Sequence, residues 1–434
     1  MQIFCLNNPV NDNIEQSLAK EVYNFLQQNY SYGDEINNAV KSIISRVKHE
    51  NDQALIELSN QFDQANFKNN DDFVIEFNQI QDQVNQIDDE LKLALDLAFQ
   101  RIEKYHRQQL PLDFFATDEQ GMKIGNIWQA IEKIGVYVPA GSACYPSSVL
   151  MSVVPALVAG VKEIYLATPS ANQKINPAIL YCAKICKVKK IYKIGGAQAI
   201  SALAFGTPTV TKVDKIVGPG NAYVALAKKQ LYGEVGIDMI AGPSDVSIIS
   251  ENFANPKWIA IDALSQLEHG VDSKAFIFVD DLEFAHKIIQ HINEFLKILP
   301  RKKIIEESLK NSAIFVLKDL TQASAIINFI APEHLQIIVN DHSHYLEKIT
   351  NAGAIFIGEY TPEAIGDYIA GPSHTLPTLA NARFASGLSV YDFLKRRSIM
   401  QCDKITFNSL APFASIIAQC EGLQAHQLSI DIRK

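Results

Sequence analysis

Two short stretches decide the fold: Lys190-Ile-Tyr-Lys-Ile-Gly-Gly-Ala-Gln-Ala199 and Lys215-Ile-Val-Gly-Pro-Gly-Asn-Ala222. Each opens on an apolar, β-prone run, passes through a glycine turn and enters a helical segment, from Ala199 in one case and from Tyr223 in the other. Working outward, the same order recurs. Ile134–Val138 leads into Pro139-Ala-Gly-Ser142 and a helix near Ser147–Gly160, and Glu163–Ala167 precedes a helix through Cys186. Strand, turn and helix in repetition predict βαβ units on a parallel sheet.

A second α/β region follows. Val246–Ile249, Ala275–Val279, Ala313–Leu317, Leu335–Val339 and Ala354–Ile357 read as strands, with the amphipathic run Leu282–Leu299 among the helices between them. Residues 1 to about 110 read as helices. There Val84, Ile87, Leu91, Leu95, Ala98, Ile102 and Tyr105 recur at spacings of three and four and build one stripe. From about residue 385 the chain reads as short, helical and polar-tailed. No fixed-period repeat stands out.

The length of 434 residues fits two to three domains at about 150 residues each. With 47% hydrophobic and 20% charged residues, disorder and rod-like folds are excluded. Acidic groups outnumber basic ones, 48 to 39, which argues against a nucleic-acid partner while allowing a local phosphate site. Six cysteines make no disulfide framework, and Cys182 and Cys186 bracket three residues, so they form no C-x-x-C pair. The opening Met-Gln-Ile-Phe-Cys-Leu has no basic or apolar leader character, and the apolar run Val149–Val161 is shorter than the roughly 20 residues of a membrane span. The chain reads as cytoplasmic.

Chemistry-bearing residues are scattered. The glycine turns place backbone N–H groups and helix N-termini where an anion can bind, although neither matches G-x-G-x-x-G or the G-x-x-x-x-G-K-[ST] loop, and each alone is more often a tight turn than a cofactor loop. Gln266 and His269 share one helical face, where a lone His is commonly structural. Glu333-His334 pairs a carboxyl with an imidazole at a helix-to-strand junction marked by Pro332. Asp367 and His374 fall in a Gly- and Pro-rich segment expected to be an irregular loop; Glu421 and His426 lie near the C-terminus, where a solvated tail is the default. Residues of these types also suit a metal-dependent hydrolase, and a two-domain small-ligand binder is the third alternative. Paired glycine turns favour a dinucleotide enzyme over the hydrolase, and the Glu–His pair disfavours the binder.

Taken together, six runs resemble the histidinol dehydrogenase family: Gly195–Ile200, Val213–Asn221, Ala241–Ser244, Ser265–Gly270, Ala331–Leu335 and His374–Thr378. The resemblance implies four-electron, NAD-dependent oxidation of L-histidinol to L-histidine through histidinal, closing histidine biosynthesis. It implies two incomplete Rossmann-like domains, related to the aldehyde dehydrogenases, with small helical terminal domains that intertwine in a homodimer whose active sites are shared. The expected division is a helical arm over 1–30, a substrate and metal domain over 31–131 plus 243–384, a NAD domain over 132–242 and a dimerisation tail over 385–434. By motif, one zinc ion per subunit is held by Gln266, His269, Asp367 and His426. Those four, with Ser244, His334, His374 and Glu421, contact substrate. Glu333 and His334 form the acid–base pair, and Tyr137, Gln198 and Asn221 contact NAD. The chain departs from the family pattern at Ala140, where Gly is common, at Asp245, where Glu is usual, and before His374, where Asn is usual.

Overall fold

A computed structural model describes residues 1–27, 32–76, 80–140, 144–170 and 174–434. The expected boundary at residue 30 and residues Gly141 and Ser142 of the first turn lie outside the described residues. Two six-stranded sheets and one three-stranded sheet make up the β structure. The first sheet runs Val74–Ile75, Lys190–Tyr192, Glu163–Ala167, Lys133–Tyr137, Lys215–Val217, Gly236–Ile237, parallel apart from Val74–Ile75. The second is wholly parallel: Gln2–Leu6, Ala313–Leu317, Lys274–Val279, Asp245–Ser250, His334–Ile338, Ala354–Ile357. The α/β expectation holds: apart from the antiparallel Val74–Ile75, both sheets are parallel, as the repeated strand–turn–helix order requires.

Central strands of both sheets are continuous apolar runs because helices cover each face. On the first sheet, one face buries Val149, Val153 and Leu180, and the other buries Leu203, Val224 and Leu226. Asn176-Pro177 and Asn255-Pro256 start two of the helices by one device. The Asn side chain accepts the N2 amide, and Pro occupies N1, where no N–H is needed.

The N-terminal 110 residues depart from the expected division. Helices Asp34–Glu50 and Asp52–Asp63 bury Val40, Val47, Leu55 and Leu58 against the first sheet's helices, and Asp89–Arg107 buries Leu95, Ala98 and Ile102 on its other face. These helices therefore form a further layer on the unit expected over 132–242, and Arg101 of the last one also donates to the Ile369 (2.6 Å) and Ala370 (3.3 Å) carbonyls. Each of the Val, Leu and Ile side chains these helices bury stabilises this second helical layer by roughly 1.5–3 kcal/mol. Nor is the first segment purely helical. Gln2–Leu6 adds an edge strand beside Ala313–Leu317, after which Ile14, Leu18 and Val22 cover that sheet's face.

The tail also carries a strand. Leu394–Gln401 pairs antiparallel with Lys123–Ala130, which pairs with Phe114–Thr117. Helices Lys404–Cys420 and Gln424–Asp431 follow and pack on each other, joined by Ser415 Oγ donating to Asp431 (2.8 Å). Their outer faces expose Ile405, Phe413, Ile416, Ile417, Leu428 and Ile432, so the tail is apolar where it is free of the rest of the protomer. Among the described residues no helix is long and apolar enough to cross a membrane.

Candidate active site

A cavity of about 550 Å³ opens between the two six-stranded units. Ser147, Ser148, Pro219, Gly220 and Asn221 line one wall, and Ser244, Gln266, His269, Glu333, His334, Asp367 and His374 line the other. The first wall is built from the turn after Lys215–Val217 and the start of helix Pro146–Ala159. Asn221 caps helix Ala222–Leu231 by accepting from the amides of Tyr223 (3.1 Å) and Val224 (3.2 Å).

On the second wall, helix Ala323–Ile330 stops at Ala331, which is left-handed, and Pro332 carries the chain into strand His334–Ile338. Glu333 and His334 are thereby buried at the strand's amino end. Asp245 holds them. It exchanges hydrogen bonds with Glu333, its carboxylate accepting the Glu333 N–H (3.2 Å) and its own N–H donating to the Glu333 carboxyl (3.3 Å). His334 Nδ1 lies 3.3 Å from the Asp245 carbonyl oxygen. A carbonyl only accepts, so Nδ1 carries the proton and Nε2 keeps its lone pair. Nε2 is buried and has no hydrogen-bond partner; the nearest charge is Asp367 Oδ1 at 4.0 Å.

The electrostatics follow from burial. Desolvation pulls His334 down to about 3 and His374 down to about 4, so both imidazoles are neutral at physiological pH. It pushes Asp245 up to about 7 and Asp367 up to about 6. Glu333 rises well above the ordinary range through burial and then the nearby Asp245, and Glu363 does so through burial and then Asp367. Crowded, raised carboxyls are the setting that a bound cation would relieve.

Donor atoms of His269, Glu363 and Asp367 lie within 4.8 Å of one another, close enough to share a metal ion. Of the four expected ligands, His269 and Asp367 belong to this cluster. Gln266 sits beside it, its amide nitrogen donating to both Glu363 oxygens (2.7 Å to Oε2) and its oxygen accepting from Asp245 N–H (3.2 Å). Glu363 was not singled out in the sequence, where it is one acidic residue at a helix start. Asp367 lies on that same short helix, Glu363–Tyr368, and not in an irregular loop. Its spacing was the available signal: two carboxyls four residues apart on one helical face repel unless a cation joins them.

His374 lies with its Nδ1 3.0 Å from the Asp367 carbonyl and its Nε2 3.4 Å from Ser148 Oγ, bridging the two walls. Tyr137 and Gln198 do not line the cavity. Tyr137 is buried with its hydroxyl accepting from Gly196 N–H (3.1 Å), and the Gln198 amide donates to Asp63 (3.3 Å). Glu421 and His426 are exposed on the C-terminal helical pair and are not part of this protomer's cavity.

Comparison with known proteins agrees with this picture. A family profile described as histidinol dehydrogenase matches residues 26–434. The histidinol dehydrogenase of Nitrosospira multiformis is 46% identical over 396 residues, covering 91% of this chain and 90% of the relative. That of Nitrosomonas europaea is 42% identical over 421 residues, covering 97% and 98%. A solved histidinol dehydrogenase from Elizabethkingia anophelis superposes with a TM-score of 0.93 at 37% identity, over 100% of this chain and 98% of that one. The chain belongs to the histidinol dehydrogenase family, a family of oxidoreductases.

Proposed function

We propose that the protein oxidises L-histidinol to L-histidine through histidinal, reducing two NAD⁺ in succession at one site. The observation that carries this is His334. A buried, neutral imidazole whose unpartnered Nε2 belongs to a cavity between a glycine turn and a metal-capable cluster is a base placed for a bound alcohol.

In the first half-reaction His334 Nε2 accepts the carbinol proton as the C–H bond breaks, yielding histidinal. In the second, water adds to the aldehyde, and loss of a second hydride and of protons leaves the carboxylate. Glu333, whose pKa burial and the nearby Asp245 raise, is the carboxyl beside His334 that serves the hydration step. NAD⁺ supplies the hydride acceptor in both halves. Gly220 and Asn221, just before a helix N-terminus, are the residues whose backbone N–H groups suit its phosphates.

One zinc ion, held by His269 and Asp367 with Glu363 beside them, supplies an anchor for the nitrogen atoms of substrate. Gln266 and His426 complete the expected ligand set, His426 together with Glu421 reaching the site from a second subunit. The exposed apolar face of the C-terminal helices supports such a homodimer, since it buries nothing within the protomer. Ser244 and His374 contact substrate, and Tyr137 and Gln198 shape the floor beneath the Gly195-Gly196 turn. A cytoplasmic location fits a biosynthetic dehydrogenase.

Adding L-histidinol to zinc-loaded protein and NAD⁺ tests the reading. NADH absorbance should rise, with two NADH formed for each histidine and little histidinal in solution. One NADH per substrate consumed, with aldehyde accumulating, would overturn it.

A further inference from the structure

We propose that a buried ion pair outside the cavity, Lys228 with Asp238, is a positioning device that fixes the cofactor-facing turn Gly218–Asn221. This deepens, and rests on, the reading of that turn as the dinucleotide site. Both side chains are almost wholly enclosed, and Lys228 Nζ pairs with Asp238 Oδ1. One further hydrogen bond from each converges on a single residue. Asp238 Oδ2 accepts the Gly218 N–H (2.8 Å), and Lys228 Nζ donates to the Gly218 carbonyl (3.0 Å). Gly218 needs holding. Its φ is +112°, and a Cβ there would collide with the Tyr137 carbonyl.

The pair also spans three elements. Lys228 belongs to helix Ala222–Leu231, Asp238 follows edge strand Gly236–Ile237, and Gly218 follows strand Lys215–Val217, the edge strand's neighbour in the sheet. Asp238 Oδ1 further accepts the Met239 N–H (2.6 Å), so the same carboxylate ties down the chain leading to Ser244 on the opposite wall. A buried ion pair is a poor source of net stability, because desolvation offsets the attraction, whereas two charges committed to the N–H and C=O of one residue fix the two peptide planes that meet at its Cα. Pro219, Gly220 and Asn221 then meet the cavity at a set height.

The double variant Lys228→Met/Asp238→Leu tests this, since removing both charges leaves neither one buried alone. In the zinc-loaded protein its unfolding midpoint should lie within a few degrees of the parent. NAD⁺ should bind about tenfold more weakly or worse, the scale of a displaced binding element, while the L-histidinol Kd changes less than about twofold. Amide exchange over residues 218–221 should accelerate. A folded double variant with parental NAD⁺ affinity and exchange overturns the proposal, as does equal weakening of both ligands. Should the double variant fail to fold, Asp238→Asn keeps one acceptor and must show a smaller loss in the same direction; parental NAD⁺ affinity there is equally fatal. If the parent itself binds no NAD⁺, the functional reading fails, and exchange at 218–221 alone decides the role of the pair.

Discussion

In both six-stranded sheets the strands, numbered by their order along the chain within each sheet, lie in the sequence first, fourth, third, second, fifth, sixth. The two units nevertheless turn opposite edges to the shared cavity. The first presents the carboxyl ends of its strands, through the turn 218–221 and the start of helix Pro146–Ala159. The second presents amino ends: Ser244 before Asp245–Ser250, Gln266 and His269 before Lys274–Val279, and Glu333 just before strand His334–Ile338. Helices antiparallel to their strands follow suit. One wall therefore shows helix N-termini and backbone N–H groups, suited to anions, and the other a helix C-terminus and carboxyl groups, suited to a cation. The rule that ligands sit beyond strand carboxyl ends describes only the first unit. One topology offers anion-suited groups on one side and cation-suited groups on the other because the edge in use differs.

The largest test falls on the amino-end wall. His334→Asn should lower kcat by about a thousandfold, the scale of a lost general base, with zinc content and unfolding midpoint close to the parent. Turnover near that of the parent would remove His334 from the chemistry and leave that wall as a binding surface only. Completion of the wall by a second subunit comes next. His269→Asn and His426→Asn proteins should each be nearly inactive. After subunit exchange, mixed dimers carrying one intact site should restore about a quarter of parental activity. Proven exchange with no recovery would place all the ligands of the cation side within one chain.

The carboxyl-end wall, proposed to hold the cofactor, is tested through it. Gly218→Ala forces a Cβ toward the Tyr137 carbonyl at a backbone conformation that costs non-glycine residues about 1–3 kcal/mol. The KM for NAD⁺ should rise about tenfold, well beyond any change in the KM for L-histidinol. An equal rise in both would mean that the turn acts on the whole cavity and that the two walls are not separable.

Much of the first unit was legible because its signals are local. Strands 133–137, 163–167 and 215–217 end in turns that the sequence marks with Pro or Gly, and helices Pro177–Ile185 and Ala222–Leu231 begin at Asn caps. Glu333-His334, Gln266, His269, Asp367 and His374 were legible as motif residues, and they converge on one cavity. Glu363 was not, since its burial comes from Gln266, Asp245 and His334 packing over a helix start, a tertiary fact. Strand Gln2–Leu6 was missed because its partner, Ala313–Leu317, lies some three hundred residues away, and no five-residue window records such pairing. The ribbon of Phe114–Thr117, Lys123–Ala130 and Leu394–Gln401 is exposed over much of its surface and so lacks a strong apolar alternation. The shared strand order was invisible for the same reason: topology repeated where sequence did not.

The smallest predicted effect separates buried groups that hold structure from those that do chemistry. His106 is fully buried on helix Asp89–Arg107, which packs against helix Pro146–Ala159 of the first unit. Its Nδ1 lies 2.8 Å from the Ile102 carbonyl. Burial holds its pKa below the ordinary histidine value, against the opposing pull of the Ile102 and Leu388 backbone. The folded state thus binds this proton less readily than the unfolded chain does. Stability from the neutral ring is fully present above the unfolded value near 6.5 and is lost as pH falls from there toward the lowered folded value. Between pH 7.5 and 5 the parent should lose stability faster than His106→Gln, by at most about 1.4 kcal/mol per pH unit, the limit for one proton. The pH dependence of kcat/KM should be the same in both proteins, because His106 does not line the cavity. Unfolding midpoints that track each other across this range would show that His106 does not titrate in the folding equilibrium. A displaced pH–rate profile would show instead that the helical layer over the first unit reaches the chemistry.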